Sequence, residues 1–409
     1  MRVYLDHTAG APLRSEARQA MLAVLDGPPA NPSSAHREGA RARRILDEAR
    51  ADVAALVAAD PADIVFTSGA TEANNLALRG AAGAAPLADA AGGLTAPADD
   101  AGAAVVTTAV EHASVLETAR LLGAGLVGVD AEGRVTPAAV AGACGPGTRL
   151  VSVGLANGEV GSVQPVAAIA AALAGRGILL HTDAAQAAGR LPVDVGALAV
   201  DLLSLSSPKL GGPAGVGALW VRRGVRLVPQ LTGGRQERER RAGSENVAGI
   251  AGFAAAARAA RTELAEAPAR MAARVEELWQ AVRAAAPDAV RHGPAHGPRL
   301  PNTLNARIPG CAGESLLVLL DLAGVAVSLG SACAAGAAEP SHVLVAMGLD
   351  REQARGALRF SVGPATTAAE VDAVAGVLAG VVRQVRAGAA AAAPVAVARA
   401  ARPAGGARA

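Results

Sequence analysis

The chain has 409 residues and a formal net charge of +2; the length exceeds what one hydrophobic core usually organises, so two lobes are expected. A near-neutral balance without a basic excess argues against nucleic-acid or membrane-surface binding, and no uncharged run is long and apolar enough to span a bilayer. Hydrophobic residues make up 51 %, but with three Phe, two Trp and one Tyr most are small, which reads as a compositional bias and not as a functional signature.

The N-terminus "MRVYLDHTAG" has no apolar core of a secretory signal, and Cys144, Cys311 and Cys333 are odd in number, far apart and free of any C-x-x-C pair. A soluble cytoplasmic protein with reduced cysteines is expected. Along the chain, strands are predicted at 63–69, 103–110, 149–157, 177–183, 201–207 and 217–223, where short apolar, β-branched runs occur. Helix-length segments such as "ATEANNLALRG" (70–80) and "VQPVAAIAAALAGRG" (163–177) lie between several of them, which is the βαβ rhythm of a largely parallel sheet. From about residue 258 the pattern changes to long helices, then short strands and a last helix near 368–386, predicting a second, smaller lobe. The stretches 81–103 and 387–409 are rich in Ala, Gly and Pro or Arg without apolar periodicity, and predict a flexible insertion and a disordered tail.

Three stretches carry chemistry. "TSGATEANN" (67–75) follows a strand and opens a helix; Gly69 and Ala70 allow close backbone approach and Thr71 offers a hydroxyl, so free N–H groups there suit a phosphate, although an ordinary capped helix has the same pattern. "HTDAAQAAG" (181–189) places Asp183 at the end of an otherwise apolar strand, where a carboxylate needs a partner such as a protonated pyridine nitrogen. Lys209, in "LSLSSPKLGGPAG" (203–215), is the only lysine in the chain. An ε-amine can lose its proton and condense with an aldehyde, which a guanidinium cannot. Phosphate cradle, pyridinium-pairing Asp and Schiff-base Lys form the set that pyridoxal phosphate requires, while each taken alone also has a bland structural reading.

At this point the chain resembles the cysteine desulfurases, pyridoxal-phosphate enzymes of the class V aminotransferase group. The resemblance runs from "YLDHTAGAP" (4–12) to "LRFSVGPATT" (358–367). It is carried by "NPSSAHREG" (31–39), "FTSGATEANNLA" (66–77), "VEHASVL" (110–116), "ANGEVGSVQP" (156–165), "HTDAAQAAG", "GGRQERERRAGSENV" (233–247) and "SLGSACAAGAAEPSHVL" (328–344). It implies an α/β fold of the fold type I kind. A large domain (15–257) would hold a mostly parallel seven-stranded sheet, and a smaller α+β domain (1–14 and 258–386) would carry a mobile cysteine loop at about 328–340.

The resemblance also implies roles. Lys209 would carry pyridoxal 5'-phosphate as a Schiff base, Asp183 would pair with its ring nitrogen, and Gln186 would reach the ring oxygen. His112 would stack on the ring and take part in catalysis, and Thr71, with Ala70 beside it, and Ser206 would bind the phosphate. Ser244 would reach the phosphate of the neighbouring subunit, implying a homodimer. Asn31 and Arg359 would hold the carboxylate of L-cysteine, a role suited to the fork of Arg. Cys333, among small residues in a loop of the family's longer class, would take the sulfur as a persulfide and pass it to an acceptor protein, a scaffold or sulfur carrier. No resident metal is implied beyond a possible iron–sulfur cluster contact through Cys333. Cys144 and Cys311 match no motif and read as structural.

Several positions depart from the family pattern: Gly158 where a second Asn is usual, Pro208 where a His precedes the lysine, and Ala9-Gly10-Ala11-Pro12 in place of Ala-Thr-Thr-Pro. A selenocysteine lyase, a cysteine lyase that expels sulfide, and a non-catalytic relative remain as alternatives at the level of sequence.

Overall fold

Ile64–Thr67 (β2), Val105–Thr108 (β3), Leu150–Ser152 (β5), Leu202–Ser206 (β7) and Gly217–Val221 (β8) are buried along their whole length, the pattern of strands covered on both faces. With Gly125–Val127 (β4) and Leu179–Asp183 (β6) they form a seven-stranded sheet, in the order β2-β8-β7-β6-β5-β3-β4. All pairings are parallel except those of β8, which runs against both β2 and β7. Val3–Tyr4 (β1) precedes these strands and pairs elsewhere. The structure is a computed structural model and describes residues 2–83, 103–330 and 340–392.

Alternate residues of each strand enter different cores, because successive side chains point to opposite faces. Ile64 and Phe66 pack on one side with Leu46 and Val53 of α2 (Arg37–Ala55) and with Phe253 and Ala257 of the helix Val247–Glu263. Val65, Leu202 and Leu219 pack on the other with Leu76 and Leu78 of α3 (Ala70–Gly83) and Val115 of α4 (Ala113–Leu121). A separate core gathers Val3 and Leu5 with Met271, Val275 and Leu278 of the helix Ala267–Ala285 and with Val374 and Leu378 of the helix Ala368–Ala392. These helices cover an antiparallel sheet in the order β12-β10-β9, built from Ala357–Ser361 (β12), Thr303–Arg307 (β10) and Val290–His292 (β9). Val325–Ala326 (β11) pairs in parallel with β1.

Four details differ from the sequence reading. Ala260 still belongs to the first core and Ala267 to the second, so the change of core falls after Glu263 and not at 258. Helix α3 runs to Gly83 with Ala81 and Ala82 buried, so the 81–103 stretch begins as packed helix; residues 84–102 lie outside the described residues. The last helix continues past 387 to Ala392, and 393–409 lie outside the description. Strand β4 escaped the reading because it is a short edge strand within a Gly-rich run and Leu126 is half exposed. Among the described residues no helix is long and apolar enough to cross a membrane.

One buried ion pair bears on the site. Glu237 accepts hydrogen bonds from Arg50 (2.7 and 2.8 Å) and from the N–H of Phe66 (2.9 Å), so the 236–239 segment, left-handed at Glu237, Arg238 and Glu239, is pinned to β2 just ahead of α3. A carboxylate buried this deeply persists only with such partners. A second tie, Arg241 to Glu72 at 2.9 Å, joins the same segment to the first turn of α3.

Candidate active site

The carboxyl ends of β2, β3, β5, β6 and β7 open into one cavity of about 410 Å³. The chain has stepped outward from β3 to β4 there, and returns through β5 to build β6 and β7 on the opposite side. Open α/β sheets bind their ligands at such reversals.

Each wall is set by a local rule. Strand β2 passes into α3 within three residues, and the N–H of Ser68 is taken by Glu72 Oε2 (2.8 Å), which leaves the first amides of α3, at Ala70 and Thr71, facing the cavity with the positive end of the helix dipole. Ser206, at the end of β7, lines the same space. Asp183 ends β6; its Oδ1 accepts the N–H of Ala185 (2.9 Å) and its Oδ2 accepts Asn74 Nδ2 (2.7 Å), and no ion pair reaches it among the described residues. Asn74 is wholly buried and also donates to Ser114 Oγ (2.9 Å), which sits 2.8 Å from His112 Nδ1. His112 caps α4, its Nδ1 accepting the N–H of Ser114 (3.2 Å), so the neutral ring carries its proton on Nε2. Asp183 and His112 are therefore joined by a chain of hydrogen bonds that residue spacing did not reveal.

Lys209 lies on a single 3-10 turn, Ser207–Leu210, directly after β7. Its Nζ donates to the carbonyl of Ala9 (2.6 Å), while the N–H of Ala11 donates to the carbonyl of Pro208 (2.9 Å), so the lysine turn and the N-terminal segment are fastened to each other. The bond from Ala11 is made to the backbone carbonyl of residue 208, so it does not depend on proline standing there. Burial, with the guanidinium groups of Arg190 and Arg359, draws the Lys209 amine down from 10.5 to about 8. Arg359, on β12 and 4 % exposed, donates from Nη1 to the carbonyl of Gly330 (2.6 Å) and from Nη2 to Asp6 Oδ1 (2.7 Å); its buried Nε has no partner among the described residues.

Glu111 was not singled out in the sequence. It is fully enclosed beside the cavity, takes Thr108 Oγ1 (2.6 Å) and the N–H of Gly154 (2.9 and 3.0 Å), and burial pushes its carboxyl up to about 7 despite those bonds, with Asp183 adding to the rise. The only signal available was its place before His112 at the end of an apolar strand.

Of the residues the sequence pointed to, Ala70, Thr71, His112, Asp183, Gln186, Ser206, Lys209 and Arg359 line this one cavity. Asn31 does not: it is exposed ahead of α2 and its Oδ1 caps the N–H of Ser33 (2.8 Å). Ser244 is exposed in the segment before Val247 and is not part of the cavity wall of its own chain. Cys333 lies outside the described residues; Gly330, the residue before that segment, forms part of the cavity wall, and Ser341, just after it, donates from Oγ to Glu159. Cys144 and Cys311 are buried in the first and second cores, and burial raises both thiols.

The Gly158 departure has a steric counterpart. A Cβ at Gly158 would stand 2.9 Å from Gln186 Cδ, and Gln186 uses that space to donate from Nε2 to the carbonyl of Thr8 (3.0 Å). Gly158→Asn is accordingly expected to push the Gln186 amide off Thr8 at a cost of about 1 kcal/mol, small because the displaced group is the end of a flexible side chain. A denaturation double-mutant cycle with Gln186→Ala checks this: the cost should vanish once Gln186 is truncated, and full additivity would show that the two sites do not meet.

The family model for aminotransferase class-V matches residues 3–374. A cysteine desulfurase of Cereibacter sphaeroides is 42 % identical over 395 residues, covering 94 % of this chain and 97 % of its own. Among solved structures, a NifS-like protein superposes with a TM-score of 0.83 at 33 % identity, covering 94 % of this chain and 100 % of its own. SspA in complex with cysteine follows with a TM-score of 0.76 at 31 % identity, covering 90 % and 100 %. With the cavity described and these matches spanning nearly the whole chain, the protein belongs to the cysteine desulfurases of the class V aminotransferase family.

Proposed function

We propose that the protein converts L-cysteine to L-alanine and takes the sulfur onto Cys333 as a persulfide for an acceptor protein. The observation that carries this reading is the convergence of the Lys209 amine, the Asp183 carboxylate and the Arg359 guanidinium on one cavity whose wall includes the entry to the Cys333 segment. The donor set fits pyridoxal 5'-phosphate. The first amides of α3 with Thr71 and Ser206 suit its phosphate, Asp183 has hydrogen-bond donors but no ion-pair partner among the described residues and so suits a protonated ring nitrogen, and Lys209 is the one amine on the described cavity wall. When bound, this cofactor supplies an electron sink that weakens bonds at the substrate's α-carbon and, through it, the β-carbon.

The chain's own residues do the rest. Arg359 offers a planar fork to the substrate carboxylate, exchanging it for the carbonyl of Gly330 or the Asp6 carboxylate that hold the fork in the free protein. Lys209 Nζ, with its amine drawn down to about 8, moves protons at neutral pH. His112 presents Nε2–H, and Asn74 and the N–H of Ala185 orient the Asp183 carboxyl by hydrogen bonds. The Cys333 thiolate attacks the substrate sulfur; an S–S bond forms as the substrate's C–S bond breaks, and the β-carbon ends protonated. L-cysteine and a thiol thus give L-alanine and a persulfide with no outside oxidant or reductant. A homodimer is part of the reading, supported by Ser244 lying exposed and off its own cavity.

The test is anaerobic turnover of L-cysteine by the purified protein, with alanine measured against sulfur added to the intact chain. Alanine and bound sulfur in equal amounts during the first turnover are expected. Sulfide released from the start with no added mass on the protein would instead make it a lyase.

A further inference from the structure

Arg190 lies seven residues after Asp183, in the turn that leads away from β6, and is 6 % exposed. Its Nη1 donates to the carbonyl of Gln186 (2.9 Å) and its Nη2 to the carbonyl of Lys209 (2.9 Å), while Gln186 Oε1 is 3.5 Å away. No carboxylate forms an ion pair with it among the described residues. The neighbouring Gly189 is left-handed (φ +72°), and a Cβ there would stand 2.6 Å from Leu210 Cδ2, so the Arg190 turn is packed tightly against the lysine turn. A buried cation satisfied only by neutral carbonyls is costly, and a guanidinium does not escape the cost by losing its proton near neutral pH.

We propose that Arg190 is a positioning residue for Lys209: it ties the lysine's own carbonyl to the Gln186 segment, and as a permanent unpaired cation behind the cavity it favours the neutral, proton-accepting form of the lysine amine. The proposal rests on Lys209 being the reacting amine.

The two arginines facing Lys209 act in the same direction, and two carboxylates oppose them. Burial lowers its amine most, Arg190 is the first of the charges to lower it and Arg359 the second, and Asp183 and Asp6 partly offset them. Glu111, Glu159, His112 and His342 also line the cavity. His7 reports the same cation from another side: burial and then Arg190 bring its ring down to about 4, against Glu370 and Asp6. An ordinary lysine at neutral pH is almost wholly protonated. One at about 8 has a usable share of free lone pairs without any carboxylate having to accept the proton first.

Because Lys209 is the only lysine, the amine can be read directly. The cofactor-stripped full chain is reductively methylated with ¹³C-formaldehyde and titrated by NMR; the N-terminal amine gives the other signal, and Lys209→Arg identifies which is which. A Lys209 midpoint near 8 is expected in the parent protein, rising by about one unit in Arg190→Gln and Arg190→Met with the fold intact. A parent midpoint at the ordinary lysine value overturns the proposal, as does an unchanged midpoint in either folded neutral variant. If neither neutral variant folds, Arg190→Lys decides: its added amine has its own signal, and the two amines must titrate in coupled steps. Two independent curves overturn the proposal. The readout needs no turnover, so it stands apart from the success or failure of the desulfurase assignment.

Discussion

Lys209→Ala is expected to abolish covalent retention of the cofactor and to lower alanine formation by about 10²–10⁴-fold or more. No second lysine exists to take over, and an arginine at 209 cannot condense with an aldehyde, so Lys209→Arg should fail equally. The loss should be chemical and not structural. Among the described residues the side chain makes one hydrogen bond, to the carbonyl of Ala9, while the bond between Ala11 and the carbonyl of Pro208 that fastens the same turn remains. Folded stability is therefore expected to change by about 1 kcal/mol or less. The measurement is mass spectrometry after borohydride reduction of protein mixed with pyridoxal 5'-phosphate, together with the visible spectrum and the denaturation midpoint. A reduced adduct of full yield at another site in Lys209→Ala would sink the assignment.

Cys333→Ser is expected to separate sulfur transfer from cofactor chemistry. The cavity residues that suit the cofactor and the substrate carboxylate are described ones other than Cys333, so cofactor binding and the spectral response to L-cysteine should survive. The added sulfur should disappear, and alanine formation should fall by about 10²-fold or more, because a hydroxyl is a poor nucleophile towards sulfur. Cys144→Ser and Cys311→Ser provide the contrast. Both thiols are buried in packed cores and burial holds them in the unreactive thiol form, so these changes should cost some stability and leave persulfide formation in place. Turnover at the parent rate in Cys333→Ser would point to direct expulsion of sulfide.

Much of the scaffold was legible because its signals are local. A strand covered on both faces is mostly apolar or β-branched, so β2, β3, β5, β7 and β8 stand out as short runs, and β6 is marked by its Leu179–Leu180 start. Asp183, which closes an otherwise apolar run, and Thr71, in the helix start that follows β2, were conspicuous from the residues themselves, Ser206 was marked by the family resemblance, and Lys209 was conspicuous because arginine stands at every other basic position apart from histidine. A strand at the edge, β4, has only one neighbour and a half-exposed side chain, so its sequence carries less of that pattern.

What the sequence determined by itself was the type of layer and the presence of a single lysine, since each is read from stretches of chain without their partners. The tertiary structure alone decided what those residues touch. Asn74 meets Asp183 across 109 positions of chain, Arg190 meets the Lys209 carbonyl across 19, and Gln186 fills the space left by Gly158. Glu111 is held protonatable near neutral pH by burial, which no residue reveals about itself. The change of core after Glu263 and the placing of Asn31 and Ser244 away from their own cavity belong to the same class. Burial, electrostatic environment and partnership are properties of pairs of distant segments, and only the fold brings those pairs together.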